Sequence, residues 1–318
     1  MRNKALVVGS VAYDIIFSVH NVFKDEVIVE KDGNIKDISM MLTAQNKKVF
    51  WGGTGGNIAY GLAVQKESPY LFSVVGDDFN HDYKAHLENH GVNLQVVTKT
   101  GEFTATFYGI SDTKKEQIGI FQPNTHGDYM DQIQLKDTLS QNEFDRIKVA
   151  VFSPGTGISI RNHMKQLREE VGMDATIIFD PSQVLSIFFD EPLLRECIEM
   201  ANIFIGNETE IAQLQSMLGM NLKQILNLGL DAVIETLGAK GSKIYQRTGE
   251  IHVDAKEAKE FVEQTGAGDA FRAGLIKGLL HDQSLEESCK IGAEMAALNV
   301  AVEGGQNYRN LVEDEPAK

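Results

Sequence analysis

The sequence predicts a three-layer α/β fold with a mostly parallel central sheet and a small β-rich lid. Short apolar runs without polar alternation recur along the 318 residues, and this pattern is typical of strands buried on both faces. Segments with helical spacing lie between the runs, which implies right-handed crossovers between parallel strands. Two segments, at about 15–50 and 98–123, break the alternation, and we expect them to form the lid.

Six apolar runs are the predicted strands of the central sheet. Each is short, rich in Val and Ile, and followed by a turn residue. They span residues 5–9, 71–76, 149–155, 176–181, 202–207 and 232–238. The predicted helices span residues 56–66, 79–91, 160–172, 191–200 and 207–218. In such sheets ligands bind beyond the carboxyl ends of the strands, so we expect the functional site there.

The lid is predicted from strand patterns in both interrupting segments. Residues 26–30 and 47–51 have strand patterns on either side of a turn at 31–34, and residues 100–122 have the pattern of a hairpin. We treat residues 1–318 as one domain with the lid inserted discontinuously. An exposed lid edge also predicts pairing across a homodimer.

Composition limits the classes of partner. The net charge of −15 argues against nucleic acid and against anionic membranes, because both are bound through Lys and Arg. No apolar run approaches the length of a membrane span. Cys197 and Cys289 stand outside any Cys/His cluster, which argues against structural zinc and favours a reducing compartment. We therefore expect a cytoplasmic protein.

The stretch "VEQTGAGDAFRAG" (262–274) places small residues and a carboxylate at the start of a helical pattern. Gly266, Ala267 and Gly268 would leave backbone amides unhindered at a helix N-terminus, where amides and the helix dipole attract anions. Asp269 suits either of two roles. It is a helix-capping residue, or it is an acid/base group placed beside an anion site. The pattern alone leaves both open.

The stretch also resembles the signature of the ribokinase-like (PfkB) carbohydrate and nucleoside kinases. Four further motifs of that family precede it in the sequence, in family order: "GSVAYDII" (9–16), "WGGTGGNIAYGLA" (51–63), "NETE" (207–210) and "ETLGAKGS" (235–242). The resemblance extends from Gly9 to about Gly305. It implies the ribokinase-like fold and ATP-dependent phosphoryl transfer to an alcohol group.

The resemblance implies three groups of site residues. Asp269 would be the general base, and the amides of Gly266, Ala267 and Gly268 would form an anion hole for the transferring phosphoryl group. The sugar of the acceptor would be bound by three residues: Asp14, Gly53 and Asn57. ATP would be bound by a larger set: Asn207, Thr236, Gly238, Gly241, Gly268 and Asn299.

The cofactors follow from the same resemblance. Glu210 would serve Mg²⁺, largely through water, because magnesium takes oxygen ligands and retains waters. Asn207 and Glu210 also satisfy a helix capping box, and the two roles are compatible. Glu263 and Gln264 replace the family's usual Asp-Thr. That departure puts activation by K⁺ in question.

The acceptor remains open between classes. The lid motif looks more like the adenosine- and nucleoside-kinase branch than ribokinase, and Phe103, Phe107 or Phe121 would line a slot for a base. Ribose or another furanose or ketose sugar is the alternative. A sugar- or nucleoside-binding regulator without catalysis is an alternative of another class. Taken alone, the pattern favours packing in the core or lid for five residues: Trp51, Phe103, Phe107, Phe121 and Arg272.

Overall fold

The computed structural model describes residues 2–26, 28–29, 35–37, 41–114 and 116–313. Its strands are β1 Lys4–Val8, β2 Ala12–Val19, β3 Ile28–Val29, β4 Ile35–Asp37, β5 Ala44–Gly52, β6 Tyr70–Gly76, β7 Asn93–Lys99, β8 Ala105–Ser111, β9 Gln117–Gln122, β10 Ile147–Phe152, β11 Thr176–Phe179, β12 Ile203–Asn207, β13 Ala232–Thr236, β14 Ser242–Gln246 and β15 Gly249–Val253.

Helices fill most of the chain between the strands. They are α1 Phe23–Glu26, α2 Thr54–Val64, α3 Tyr83–Asn89, α4 Asn124–Asp128, α5 Gln141–Phe144, α6 Gly157–Val171, α7 Leu185–Phe188, α8 Glu191–Met200, α9 Glu208–Leu218, α10 Leu222–Leu226, α11 Ala267–Leu280, α12 Leu285–Asn299 and α13 Arg309–Glu313. No described helix has the length and apolar character needed to cross a membrane.

Within the described residues, nine strands form the central sheet in the order β15-β14-β13-β12-β11-β10-β1-β6-β7. Every neighbouring pair from β13 to β7 is parallel, whereas β13, β14 and β15 pair antiparallel. The six predicted strands are therefore confirmed in place and direction. Three strands lack the continuous apolar pattern from which the others were predicted: the edge strands β7 and β15, and β14 next to β15.

The sheet separates two apolar layers because successive side chains of a strand point to opposite faces. On β1, Ala5 and Val7 pack into the layer under α2, α11 and α12. Leu6 and Val8 pack into the layer under α6, α8 and α9. Burial on both faces explains why β1 has no polar alternation, and it confirms the predicted three-layer arrangement.

Four strands form a second, smaller sheet among the described residues, in the order β5-β2-β8-β9. We call it the lid sheet. Strand β2 pairs antiparallel with β5 and parallel with β8, and β8 forms a hairpin with β9. Because β2 begins only a few residues after β1, the lid sheet starts at the carboxyl edge of the central sheet. The β-rich lid of the predicted fold is thus present.

The predicted strand pattern at 26–30 is realised only in part. Strands β3 and β4 pair with each other in a separate two-stranded ribbon, and the predicted turn at 31–34 lies outside the described residues. Residues 47–51 fall within β5, and the 100–122 hairpin forms as β8 and β9. The division of the chain into one domain with a discontinuous lid stays a prediction.

Candidate active site

The first turn of α11 is shaped by Gly266. This residue adopts a left-handed conformation with φ of 81°, which glycine reaches without steric cost. A Cβ atom there would lie 2.8 Å from Cα of Gly305. The N–H of Ala267 donates to the carbonyl of Gln264 at 3.1 Å, whereas no described residue accepts a bond from the N–H groups of Gly266, Gly268 or Asp269.

These hydrogen bonds bear on the predicted anion hole, whose role stays a prediction. The Ala267 amide is already hydrogen-bonded inside the turn, so Ala267 lines the cavity but offers no free donor. The free donors are the amides of Gly266, Gly268 and Asp269, at the positive end of the helix dipole.

Asp269 lies beside this turn and accepts a hydrogen bond from Asn57. The Nδ2 atom of Asn57 lies 2.8 Å from Oδ2 of Asp269. Burial raises the pKa of Asp269 to about 6, while the Asn57 bond and the charge of Arg272 oppose the rise. A carboxyl group with this pKa is ionised at neutral pH and still basic enough to accept a proton from a reacting hydroxyl.

Asp14 faces the same cleft from the lid sheet. Its carboxylate packs against the backbone of Gly52, where a Cβ atom would collide with it. Burial raises the pKa of Asp14 to about 7, and the charges of Asp269 and Glu263 add to the rise. Two carboxyl groups from distant parts of the chain, Asp14 and Asp269, therefore share one electrostatic environment.

Gly53 brings α2 close to the β1–β2 connection. It has a φ of 81° at the N-cap of α2, and a Cβ atom there would lie 2.6 Å from both the Ala12 nitrogen and the Ser10 carbonyl oxygen. The turn directs Asn57, in the first turns of α2, toward Asp269. Of the predicted acceptor residues, Asn57 therefore bonds Asp269 directly and Asp14 interacts with it through charge, while Gly53 shapes the start of the helix that carries Asn57.

A cavity of about 910 Å³ opens on the other side of the α11 turn. Its volume lies in the range of small-molecule sites. Five predicted ATP-binding residues line it: Asn207, Thr236, Gly238, Gly241 and Gly268. The rest of the wall is largely apolar, with Phe261, Phe271 and Val300 among its residues.

Asn299, also predicted to bind ATP, is not among the residues that line this cavity, and its role stays a prediction. Its side chain is fully buried, and neither amide atom has a hydrogen-bond partner among the described residues. The wall takes Ala293, Ala296, Ala297 and Val300, which share one face of a helix at spacings of three and four residues. The Asn299 side chain lies instead beside Gly266, where a Cβ atom would be 3.4 Å from its Nδ2 atom.

Asn207 and Glu210 form the capping box that their spacing predicts. The Glu210 amide donates to Oδ1 of Asn207 at 3.0 Å, and the Asn207 amide donates to Oε2 of Glu210 at 2.8 Å. Burial raises the pKa of Glu210. Asn207 lines the cavity, whereas Glu210 is buried behind it.

A buried ion pair beneath the α11 turn was missed by sequence reasoning. Arg272 binds both carboxylate oxygens of Asp180, with Nη2 at 2.7 Å from Oδ1, and its Nη1 donates to the Gly268 carbonyl at 3.0 Å. Both side chains are almost fully buried. Through its hydrogen bond to the Gly268 carbonyl, Arg272 stabilises the anion-binding turn. The one available signal was the position of Asp180 directly after a buried strand.

Comparison with known proteins identifies the family. The sequence profile of the pfkB family carbohydrate kinases matches residues 2–310. The chain belongs to this family. Its predicted ribokinase-like fold is therefore confirmed, as is its activity as an ATP-dependent kinase that phosphorylates an alcohol group of a sugar or nucleoside.

Several relatives are nucleoside kinases. The chain is 28% identical over 305 residues to a nucleoside kinase of Methanocaldococcus jannaschii, covering 95% of this chain and 92% of that protein. The structure of Burkholderia thailandensis nucleoside kinase in complex with inosine has a TM-score of 0.79 and 26% identity, covering 97% of this chain and 95% of that one. The structure of the M. jannaschii nucleoside kinase has a TM-score of 0.84 at 24% identity, covering 98% and 97%, and supports the fold.

The inner face of the lid sheet in this pfkB kinase carries a row of aromatic residues around Asp14. Strand register places Phe50, Asp14, Phe107 and Phe121 side by side across β5, β2, β8 and β9. Side chains paired in this way share one face of a sheet. Of the predicted candidates, Phe107 therefore stands beside Asp14 and Phe121 lies one strand further out, half-exposed, whereas Phe103 precedes β8 and is 68% exposed.

Residues next to this row in each strand direct their side chains to the opposite face of the lid sheet. Trp51, next to Phe50, stacks on His86 with ring centroids 3.7 Å apart, which confirms a packing role for Trp51. The inner face closes against the end of the central domain through two contacts. Lys48 and Glu303 form an ion pair at 2.6 Å, and the Phe50 ring lies against Gly304.

The donor set fits a magnesium ion that is held mainly by phosphate and water. Among the described residues no group of three or more His, Cys, Asp or Glu side chains forms a metal cluster. Glu210 offers one buried carboxylate behind Asn207, and Glu208 lines the cavity directly. Magnesium binds in this way in many kinase sites, with one or two carboxylates plus substrate phosphates.

Proposed function

We propose that this kinase transfers the γ-phosphoryl group of ATP to the primary hydroxyl of a nucleoside. The observation that carries the proposal is the row Phe50–Asp14–Phe107–Phe121 on the inner face of the lid sheet. A carboxylate that accepts two hydrogen bonds suits a ribose diol. Aromatic side chains on either side suit the flat face of a base. Ribose alone would leave the aromatic residues without a partner.

The two positions next to this row also suit a planar ligand. Gly109 and Gly119 are paired on β8 and β9, on the same face and one step beyond Phe107 and Phe121. A Cβ atom at Gly119 would lie 2.9 Å from the Phe107 ring, and one at Gly109 would lie 2.8 Å from the Gln117 and Ile16 side chains and 3.2 Å from that ring. A named relative, the Burkholderia thailandensis nucleoside kinase, was solved with inosine, which supports a purine nucleoside as the acceptor.

The proposed chemistry begins with proton removal. Asp269 accepts the proton of the acceptor hydroxyl as that oxygen attacks the γ-phosphorus, and ADP leaves with the electrons of the broken P–O bond. The free amides of Gly266, Gly268 and Asp269 stabilise the charge on the transferring group. Asp14 and Asn57 orient the sugar, so that its primary hydroxyl approaches Asp269.

The donor side is proposed to work by positioning. Asn207, Thr236, Gly238 and Gly241 hold the phosphates at the cavity rim, and the apolar wall around Val300 receives the adenine. Mg²⁺, when bound near Glu210, neutralises charge on the donor phosphates. Closure of the lid sheet excludes water, which otherwise competes as acceptor.

The proposal is tested by ADP release with ATP–Mg²⁺ and a panel of acceptors: adenosine, inosine, other nucleosides, ribose and fructose. We expect kcat/KM for a purine nucleoside to exceed that for ribose. Phe107→Ala should raise the KM of the nucleoside and leave that of ribose unchanged. Phe103→Ala, which removes an exposed ring outside the row, is the matched control. Preference for a free sugar contradicts the proposal, and binding without turnover indicates the regulator.

We propose that turnover does not depend on K⁺. Oε1 of Glu263 accepts a hydrogen bond from the Gly304 amide at 2.7 Å, and the Val262 amide donates to the Val300 carbonyl at 2.8 Å. These bonds join the two loops without a cation. Replacing K⁺ by a tetraalkylammonium ion should leave kcat within about twofold, a change of about 0.4 kcal/mol in the barrier. A loss of activity restored only by K⁺ contradicts this view.

We also propose that the lid sheet pairs with a second copy of the chain. Its outer face is apolar and open, with Val49 at 53% and Ile120 at 57% exposure, and β9 is an unpaired edge among the described strands. Sedimentation should show a dimer that Ile120→Lys converts to a monomer. A wild-type monomer at all concentrations contradicts the proposal.

The compartment is proposed to be the cytoplasm. The free cysteines Cys197 and Cys289 support this proposal, because a reducing compartment keeps thiols unpaired.

A further inference from the structure

Behind Asn57 lies a buried chain of side-chain hydrogen bonds that none of the catalytic roles uses. Nε2 of Gln306 lies 2.9 Å from Oδ1 of Asn57 and 2.6 Å from Oη of Tyr83. Oε1 of Gln306 lies 3.1 Å from Nε2 of His86. Oη of Tyr83 lies 2.7 Å from the carbonyl oxygen of Gly52. Gln306, Tyr83 and Asn57 are all almost fully buried.

The direction of every hydrogen bond in this network follows from one group, the carbonyl of Gly52. A carbonyl oxygen can only accept, so the Tyr83 hydroxyl must donate to Gly52. Its oxygen then accepts from Gln306, so the amide NH₂ of Gln306 faces Tyr83 and Asn57. The carbonyl oxygen of Gln306 must therefore accept from His86, which fixes the His86 proton on Nε2.

The same logic continues to the catalytic carboxylate. Because Oδ1 of Asn57 receives the Gln306 donor, the NH₂ group of Asn57 must face Asp269, where Nδ2 lies 2.8 Å from Oδ2. An Asn amide alone has two orientations related by a flip, and one of them would set its oxygen against the carboxylate. The hydrogen bonds through Gln306 exclude that second orientation.

We propose that Gln306 is a positioning residue, which fixes the orientation of the Asn57 amide and thereby holds Asp269 for proton transfer. The inference rests on the proposed function, in which Asp269 is the base. Gln306 acts through Asn57 and contacts no reacting atom. Tyr83 and His86 set the orientation of Gln306 in turn, and the stacking of Trp51 and Tyr60 on the His86 ring keeps that ring in place.

The chain offers a matched pair of variants. Tyr83→Phe removes the hydroxyl that orders Gln306. Tyr308→Phe makes the same change at a buried tyrosine whose hydroxyl has no partner among the described residues. Gln306→Met keeps the volume of the side chain and removes both donors. All three leave in place the charged groups that face Asp269, namely Asp14, Asp180 and Arg272.

Gln306→Met should lower kcat by roughly 10- to 100-fold, the usual cost of a misplaced reacting group, with the KM for ATP unchanged. Loss of a fixed donor to Asp269 should also move the acid limb of the kcat profile to higher pH. Tyr83→Phe should show the same two changes to a smaller degree, and Tyr308→Phe neither. A kcat loss without movement of the acid limb indicates a merely structural role and overturns the proposal.

A second measurement does not depend on turnover. Imidazole ¹⁵N shifts of the wild-type protein should show neutral His86 with its proton on Nε2, and Gln306→Met should change that signal. A proton on Nδ1 in the wild type overturns the fixed direction, even if no variant folds. This spectrum needs no substrate. If it shows the expected tautomer and the nucleoside assay shows no turnover, the proposed function is rejected and the fixed direction of the hydrogen bonds is not.

Discussion

Asp14 on β2 and Asp269 on α11 share one cleft, and the charge of Asp269 helps to hold the pKa of Asp14 near 7, after burial itself. The two residues are 255 positions apart in the sequence. Only the docking of the lid sheet brings them together. Carboxyl groups that interact in this way titrate as a pair.

The first prediction concerns the base. Asp269→Asn keeps the shape of the side chain and removes its ability to accept a proton, so kcat should fall by roughly 10²- to 10⁴-fold. Nucleoside and ATP binding, measured by calorimetry, should change little. Near-normal turnover in this variant would remove Asp269 from its role.

The second prediction is the pH dependence of activity. Protonation of Asp269 abolishes the base, so kcat/KM should fall as pH drops through the range of about 6 to 7 set by the two carboxyl groups. Because Asp14 has the higher pKa of the two, Asp14→Asn should leave an acid limb set by Asp269 alone, near pH 6, while raising the KM of the acceptor far more than that of ATP. An unmoved acid limb means that the two carboxyl groups are not coupled.

The third prediction is a stability effect of opposite sign to the activity effect. Burial raises the pKa of Asp14 from 3.8 to about 7, so between these values the folded state binds more protons than the unfolded state. The contribution of Asp14 to the free energy of unfolding therefore falls as pH rises through this window. Asp14→Asn should raise Tm at pH 8 by roughly 2 °C and leave it unchanged at pH 4. A lower Tm at pH 8 would contradict this.

The fourth prediction concerns the Asp180–Arg272 pair. Arg272→Met leaves the buried Asp180 carboxylate without its partner and should lower the free energy of unfolding by about 3–5 kcal/mol. Asp180→Leu combined with Arg272→Met should recover much of this loss. The control is Glu196→Gln in the half-exposed Arg161–Glu196 pair, which should cost under about 1 kcal/mol. Urea unfolding measures all of them.

The fifth prediction concerns the anion-binding turn. Gly266→Ala adds a Cβ atom 2.8 Å from Gly305 at a left-handed position, so the turn must shift and the KM for ATP should rise while kcat falls. Gly219→Ala is the control, because Gly219 is also left-handed, with φ of 60°, but has nothing within 4 Å of its Cβ position. It should lose about 1 kcal/mol of stability and keep its kinetics. Equal kinetic effects in both variants would reject the close contact as the cause.

The predictable part of the molecule is the part that local pattern determines. The buried strands, the capping box of Asn207 and Glu210, and the glycine turn before Asp269 each have a cause within a few residues of sequence. The edge strand β7 was missed because its residues are only half-buried, so no continuous apolar run marks it.

The remaining site residues depend on distant contacts. Gln306 and Tyr83 are single polar residues in ordinary segments, and their importance comes from meeting each other 223 positions apart. Asp180 and Arg272 meet in the same way, 92 positions apart. Asn299 precedes the cavity-lining Val300 by one residue, and that single step turns its side chain from the cavity wall into the interior.

Residues 303–306 have a consequence for protein engineering. Within this short stretch Glu303 and Gly304 receive the lid sheet through Lys48 and Phe50, Gly304 binds Glu263, and Gln306 binds Asn57. Reporter tags or loop grafts placed there would disturb the acceptor site, the donor-side loop and the base together. The β14–β15 turn, far from these contacts along the sheet edge, is a safer place for a fluorophore or an affinity handle.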